Sequence, residues 1–445
     1  MRTSIYSFTH VNRIAIAILT VLSVFSCSNP SFENDGYSKK SVTILLTENE
    51  ANALKIKKTG YYLIPKEEAI KKVINQYYSY NNTDGDNITV ASCKKIDFAK
   101  NRTRVGDPGC SGIYIMELSS KTNKGFAIVS ADRRVDEILA VSEKGSLNDT
   151  IFNEGLKTFY NGMKTYLQNK INEFNTDSLY NAVLTKSLST RNGWIDDGCS
   201  HYLFVPNSFI PDPDFEYTGE ETITSECHNR GTILTTQWSQ TYPYNNKLPF
   251  VAPNQRAYAG CSIIAIAQIM GYHKLNYGST IRSDWESFTQ APQCYDEKLQ
   301  DCILRIFNNI RKEASINGTS VYRQEVASFL NQNGYNAELI KQYDSSRMTL
   351  PAIVHGTNSK NEGHAWIIDS QKRYAYTTYD VYFKDDGYDF WYVYIEKHGE
   401  YGKLNVHCNW GWGGSSDGWY LDKVFASHDK FNFSNKLQMT IVKPK

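Results

Sequence analysis

The stretch Gly260-Cys-Ser-Ile-Ile-Ala-Ile-Ala-Gln-Ile-Met-Gly-Tyr-His273 constrains this 445-residue chain more than any other. Apart from Gln268 its turns are apolar on every side, and a helix of that kind has no face to give to water. It predicts a buried central helix with Cys261 at its N-terminus. The composition can supply the surrounding core, because 41% hydrophobic and 13% aromatic residues are too many for disorder. Lys and Arg total 48 against 47 Asp and Glu. That balance gives no basic field for nucleic acid and no acidic tail, so function must come from a local site.

The N-terminus reads as an address. Arg2 and Arg13 precede an apolar run, Ile14 to Phe25, of 12 residues, too short to span a bilayer as a mature helix. Ser26-Cys27 directly follows, and a small residue before a cysteine at this place resembles a bacterial lipobox. Residues 1–26 are therefore expected to be a lipoprotein signal peptide, Cys27 the lipidation site and residues 27–40 a tether. The chain is expected to be exported and membrane-anchored, facing the periplasm or the cell surface, with release on cleavage of the segment that follows. The other reading is an ordinary signal peptide in which Cys27 is incidental.

Residues 41–186 read as a small α+β unit. Pro65 opens a helical pattern running to Tyr78, with Ala69, Ile70, Val73, Ile74 and Tyr77 at helical spacing. Ile113 to Leu118, Gly125 to Ser130 and Ile138 to Ser142 read as strands, and Leu156 to Ile171 as a second helix. Residues 187–230 hold Pro206, Pro211 and Pro213 with no sustained period, and are expected to be a linker containing the processing region. Residues 231–445 form a second, larger domain. Of nine cysteines, Cys93 with Cys110 and Cys294 with Cys302 are near enough in sequence to bridge, although free buried thiols are as good a reading. A zinc site from Cys227, His228, His407 and Cys408 lacks any C-x-x-C or H-E-x-x-H spacing. No metal and no cofactor is expected, and His273, His355 and His398 read as ordinary polar or packed side chains.

The chemistry is carried by residues far apart in the chain. A thiol at a helix N-terminus is shifted toward thiolate by the helix dipole, and the first-turn N–H groups can face a developing oxyanion. Gly363-His364-Ala begins a strand, which holds an imidazole rigidly enough to exchange a proton with such a thiol. Asn405-Val-His-Cys-Asn-Trp-Gly-Trp-Gly-Gly-Ser-Ser-Asp-Gly418 ends another strand in a glycine-rich loop. There Asn409 can orient the imidazole, Trp410 can shield that bond from water, and Gly411, Gly413 and Gly414 let backbone approach a peptide. Gln240, 21 residues before Cys261, can offer an amide N–H to the oxyanion.

Together, Gln240 with Pro243-Tyr-Asn, Gly260-Cys261 with Ala267-Gln-Ile-Met-Gly-Tyr-His273, Gly363-His364-Ala, and Asn409-Trp-Gly-Trp-Gly-Gly-Ser-Ser-Asp-Gly418 resemble the streptopain family of papain-fold cysteine peptidases. The resemblance implies an α+β fold in which a central helix bearing the nucleophile packs on an antiparallel sheet. It implies Cys261 as nucleophile, His364 as general base and acid, Gln240 as oxyanion donor, and Asn409 with Trp410 as support for the histidine. Gly125-Phe-Ala-Ile-Val-Ser-Ala-Asp-Arg133 and the helix from Pro65 resemble that family's inhibitory propeptide, so the implied partners are protein or peptide substrates and the chain's own propeptide. Two departures stand out. Ser262-Ile263-Ile264 replaces the family's usual Val-Ala-Thr, and 44 residues separate His364 from Asn409, with eleven Tyr, Phe or Trp between Tyr374 and Tyr401. That insertion reads as a hairpin, either an extension of the sheet or a lid or exosite. The rival from another class is a catalytically inactive surface lipoprotein that binds glycan or protein through its aromatic surface.

Overall fold

The computed structural model describes residues 47–80, 88–98, 112–121, 123–147, 154–189, 216–316, 318–357, 363–385, 391–426 and 437–445. The signal segment, Cys27, the tether, Cys110, Cys199 and residues 190–215 of the expected linker lie outside them.

The N-terminal part begins with α1 (Glu48–Thr59), started by a capping box in which the Glu50 amide donates to Thr47 Oγ1 and the Thr47 amide to Glu50 Oε2. Helix α2 (Lys66–Tyr80) follows Pro65 and carries Glu67 and Glu68 in its first turn, where the positive end of the dipole favours them. Strands β1 (Thr89–Asp97), β2 (Gly112–Ser119), β3 (Lys124–Ser130) and β4 (Ile138–Ser142) form an antiparallel meander. Helix α3 (Glu154–Glu173) buries Leu156, Phe159, Met163, Tyr166 and Leu167 along one face, and α4 (Thr176–Ser189) follows it.

The C-terminal part contains β5 (Glu216–Gly231), the short pair β6 (Phe250–Ala252) and β7 (Gln255–Arg256), then α5 (Cys261–His273), α6 (Arg282–Phe288) and α7 (Glu297–Ile310). A small hairpin, β8 (Arg311–Ser315) and β9 (Gly318–Val321), precedes α8 (Arg323–Gln332). The remaining elements are β10 (Tyr335–Ile340), β11 (Ala352–Thr357), β12 (Gly363–Asp385), β13 (Trp391–Asn409), β14 (Gly418–Leu421), α9 (Asp422–Ala426) and β15 (Gln438–Pro444). The central helix is as enclosed as its sequence requires. Every residue from Ser262 to Gly271 is buried, among Trp238, Trp285, Phe288, Ile306, Ile353 and Ile367. Its four isoleucines are fully buried, and each contributes about 1.5–3 kcal/mol of hydrophobic stabilisation.

The two parts are joined by more than a linker. One sheet runs through both, in the order β1-β2-β3-β4-β14-β13-β12-β11-β15-β10. The junction is antiparallel, with Ser142, Val141 and Ala140 of β4 opposite Gly418, Trp419 and Tyr420 of β14. Ser142 Oγ donates to the Asp417 carbonyl at 2.7 Å and the Ser416 amide to the Lys144 carbonyl at 2.9 Å. The core is shared too, since the Phe159 ring meets Tyr420 at 4.8 Å and Phe425 at 5.3 Å between centroids.

One expectation is revised, and two open readings are narrowed. Residues 216–230 are strand rather than irregular linker, because β5 pairs with β12 from Ser370 to Phe383. Its local sequence is too polar to show a period, so only that distant partner makes it a strand. Residues 374–385 of β12 and 391–401 of β13 pair antiparallel, which extends the sheet as the expected hairpin would. Cys294 and Cys302 are both free: Cys302 sits in the core on the buried face of α7, while the Cys294 amide is bonded to Tyr244 Oη. Cys93 is also a free thiol.

Candidate active site

Cys261 is the first residue of α5, and Gly260 before it has φ +94, a conformation side chains with a Cβ rarely adopt. The turn is held from outside by the β8–β9 hairpin, where Thr319 Oγ1 donates to the Tyr258 carbonyl at 2.6 Å. Strand β12 starts against the same helix end. The amide of Ala365, the residue after His364, donates to Cys261 Sγ at 3.2 Å. Burial pushes the Cys261 thiol up, while the Ala365 and Ser262 amides act in the opposite direction.

The His364 ring is buried between Trp366 and Trp412, with centroids 6.2 and 6.3 Å away and near-parallel planes. Its Nε2 lies 3.1 Å from the Trp410 carbonyl, and among the described residues no hydrogen bond joins it to Cys261. The N-terminal part covers this ring directly. A Cβ added to Gly155, in the first turn of α3, would fall 2.6 Å from His364 Cδ2 and closer still to the Trp410 indole.

Asn409 is placed differently from its expected role. Its Nδ2 donates to the Thr236 carbonyl at 2.7 Å, and its Oδ1 accepts from the Gly411 amide at 3.2 Å and from Gln268 Nε2 at 3.3 Å. The carboxamide therefore points into the molecule, and backbone carbonyl 410 takes the imidazole. Trp410 stands against Trp366 at 5.2 Å, with its Nε1 bonded to Tyr420 Oη and the Ser416 carbonyl. Its amide donates to Asp417 Oδ1 at 2.8 Å. Gly411, Gly413 and Gly414 all have positive φ, a backbone region that favours glycine. Gly414 also lies against the Gln237 side chain, and the Gly413 amide donates to the Trp238 carbonyl at 3.2 Å. Gln240 is buried nearby, and its own carbonyl accepts from the Ala259 amide at 2.8 Å.

Sequence reasoning gave no role to Gln268, Asp417 or Asp369, although the first two fall inside the motifs it singled out. Gln268 stands out as the lone amide in an apolar helix and Asp417 by its place seven residues after Trp410 in the glycine loop; Asp369 had no signal, since its partners, the Leu234 amide and His407, are distant in the chain. Asp369 Oδ2 accepts from the Leu234 amide at 2.9 Å, and its Oδ1 lies 2.7 Å from His407 Nδ1. Burial disfavours a charged His407, but Asp369 outweighs it and raises the pKa. Burial pushes the Asp417 carboxyl up to about 7, against the Trp410 amide, which lowers it. His407 and Cys408 point to opposite faces, Cys408 into the core, so they do not converge on one ligand. Among the described residues no cluster of three His, Cys, Asp or Glu is arranged for a metal, and no helix is long and apolar enough to cross a membrane.

A Spi protease inhibitor model matches residues 61–167, and the Peptidase C10 family model matches residues 238–350 and 319–420. Inhibitor first and peptidase second, the two matches define a cysteine-type endopeptidase that carries its own inhibitory propeptide. Streptopain of Streptococcus pyogenes serotype M1 is 24% identical over 355 residues, covering 72% of this chain and 77% of that protein. Streptopain of Streptococcus pyogenes is 24% identical over 352 residues, with the same coverage. Among solved structures, a fragment of Prevotella intermedia prointerpain A aligns with a TM-score of 0.42 at 19% identity, covering 79% of this chain and 100% of that one. The chain is a streptopain-like cysteine peptidase with an N-terminal propeptide.

Burial pushes the His364 imidazole down to about 4, against the Trp410 carbonyl, which favours the protonated ring. His355, bonded through Nε2 to Thr440 Oγ1 at 2.9 Å, is pushed down to about 3 by burial and then by Arg323. Both are neutral in the folded chain at pH 7 and take up protons on unfolding below their ordinary pKa of 6.5. A depressed folded pKa leaves stability intact above that value and removes it as pH falls toward the folded one. The stability difference between the protein and its His355→Asn variant should therefore change by up to about 1.4 kcal/mol per pH unit below 6.5, the parent losing more. Urea melts of both proteins across that window check it; a pH-independent difference would refute it.

Proposed function

We propose that this protein is an exported lipoprotein zymogen whose peptidase acts through Cys261 and His364. The observation that carries the reading is the Ala365 amide on Cys261 Sγ, which fixes the start of β12, and with it His364, against the N-terminus of α5. In the reaction, His364 takes the Cys261 proton and the thiolate attacks a peptide carbonyl carbon. The oxyanion is met by the Cys261 N–H and the Gln240 amide. His364 then gives its proton to the departing amine as the C–N bond breaks. Water activated by His364 hydrolyses the thioester, returning the proton to sulfur. Asn409 and Trp410 support the histidine by fixing the loop whose carbonyl 410 holds its ring, and Gly411, Gly413 and Gly414 leave room for substrate backbone.

Latency follows from the same contacts. In the precursor the imidazole bonds to Trp410 rather than to the thiol, burial keeps both groups neutral, and Gly155 of the propeptide lies on the ring. Activation requires α3 to leave, so that the ring can turn to Cys261 and water can stabilise the charged pair. The cut that frees the peptidase falls within residues 190–215. Lys186 lies in α4, and Arg230 is held in β5, with its guanidinium on the Met348 carbonyl and Gln371. Cys27 is the lipid attachment site of the exported precursor, which faces the periplasm or the cell surface and releases the peptidase on propeptide cleavage.

The wild-type chain should cleave peptides and bind the epoxide inhibitor E-64 at Cys261, and its mature form should begin within or just after residues 190–215. Cys261→Ala should do none of this when expressed alone, apart from cleavage by another protease. An active Cys261→Ala enzyme would sink the assignment, and a wild type that neither turns over nor reacts would favour the binding-protein reading. Gly155→Val should loosen the precursor, since overpacking costs about 1–3 kcal/mol. E-64 labelling of unprocessed chain should then accelerate roughly tenfold, and an unchanged rate would remove the contact from the account of latency. Radiolabelled palmitate should enter the wild-type precursor and not Cys27→Ser; label in both would place the lipid elsewhere.

A further inference from the structure

We infer that Gln268 is a positioning residue, a buried clamp that holds the Gln240 loop and the Asn409–Trp410 loop in register on the helix that bears Cys261. This rests on the peptidase reading above. Gln268 lies two helical turns after Cys261, on the same side of α5. It is 1% exposed. Its Oε1 accepts from the Trp238 amide at 3.3 Å, and its Nε2 donates to Asn409 Oδ1 at 3.3 Å. Trp238 is two residues before Gln240, and Asn409 directly precedes the carbonyl that holds His364 Nε2. One side chain thus links the three segments that carry nucleophile, oxyanion donor and histidine support.

The direction of these bonds is fixed by backbone. The Thr236 carbonyl can only accept, so the Asn409 group facing it is Nδ2 and the opposite face is Oδ1. The Gly411 amide, donating to the same Oδ1, requires the same orientation. The Trp238 amide can only donate, so Gln268 must present Oε1 to it and Nε2 to Asn409. The glutamine amide supplies a donor and an acceptor at once, one toward each loop. Glutamate as a carboxylate would keep the bond from Trp238 but set oxygen against Asn409 Oδ1, and it would restore that bond only by holding a proton there. Leucine would fill the volume and leave both partners without their bond. The helix itself gains nothing from glutamine, because every other residue from Ser262 to Gly271 is buried and an apolar side chain would serve its packing equally well. Both bonds are long, which suits an element that sets geometry more than it adds stability.

The test uses the full-length chain, matured and counted by E-64 titration, so that turnover is expressed per intact active-site thiol. In Gln268→Leu and Gln268→Met, kcat per titrated site should fall about 10- to 100-fold, the loss expected when reacting groups are misplaced by about 1 Å. KM should stay within about twofold, since the clamp touches no substrate. Met matches the length of glutamine and removes donor and acceptor without introducing charge, so it carries the test if Leu does not mature. A merely structural role predicts fewer titratable sites with wild-type turnover per site, and that result in either variant would overturn the proposal. So would a rise in KM with kcat unchanged. Failure of the underlying reading is separately visible, because the wild-type enzyme would then show no turnover and no E-64 titre.

Discussion

Water is excluded from every side of the helix that carries Cys261, and the rest of the site is arranged around that exclusion. A helix with no polar face can be stable only at the centre of a core, so the chain supplies α6, α7 and α8 on one flank and the sheet on the other. Only its ends meet solvent or substrate. That leaves the N-terminus as the place for reactive chemistry, with first-turn amides that lack intrahelical acceptors and a thiol that accepts the Ala365 amide. The single amide inside the helix cannot be left without partners in such surroundings. It finds them in the two loops that flank the thiol, so the burial that stabilises the helix also ties the loops to it.

The second constraint is the merger of propeptide and peptidase. Ile138–Ser142 extends the peptidase sheet at Gly418–Leu421, and Phe159 inserts among Tyr420 and Phe425. Each backbone pair across β4 and β14 satisfies groups that would otherwise lie at a bare sheet edge. The loop from Asn409 to Gly418 therefore has two duties. Its first half holds His364 through carbonyl 410, and its last residues receive the propeptide strand through Ser142 and Lys144. Covering the histidine and extending the sheet are effects of one docked domain. Lys423, near Glu137 at 3.9 Å, and Lys403, bonded to the Asp136 carbonyl at 3.1 Å, add contacts of opposite charge around it.

Much of this was legible in the sequence because the relevant signals are local. The apolar turns after Cys261 specified a buried helix, the glycines after Asn409 specified a turn, and β-rich apolar runs specified β2, β3 and β4. What was not legible depends on distant partners. Strand β5 is too polar to announce itself and becomes a strand only beside β12. Closeness in sequence left a Cys294–Cys302 bridge and free thiols as equal readings, and the core decided for free thiols, with one on the inner face of α7 and the other near Tyr244. Asn409 lies beside the residue whose carbonyl meets His364, and its carboxamide turns to Thr236, Gly411 and Gln268 because their fixed donors and acceptors leave it one orientation.

By itself the sequence determined the parts, namely a thiol at a helix start, an imidazole at a strand start, a glycine loop and an N-terminal α+β unit, while their meeting in one site under that unit was what the resemblance to the streptopain family implied. Residue type and local period encode those choices, since they follow from propensity and apolar spacing. Only the tertiary structure decided which atom bonds to which. It gave His364 to the Trp410 carbonyl, placed Gly155 over that ring, and joined the two parts in one sheet. Such pairings are contests among many possible donors and acceptors, and they are settled by the packing of segments hundreds of residues apart, which leaves no mark in any single stretch of the chain.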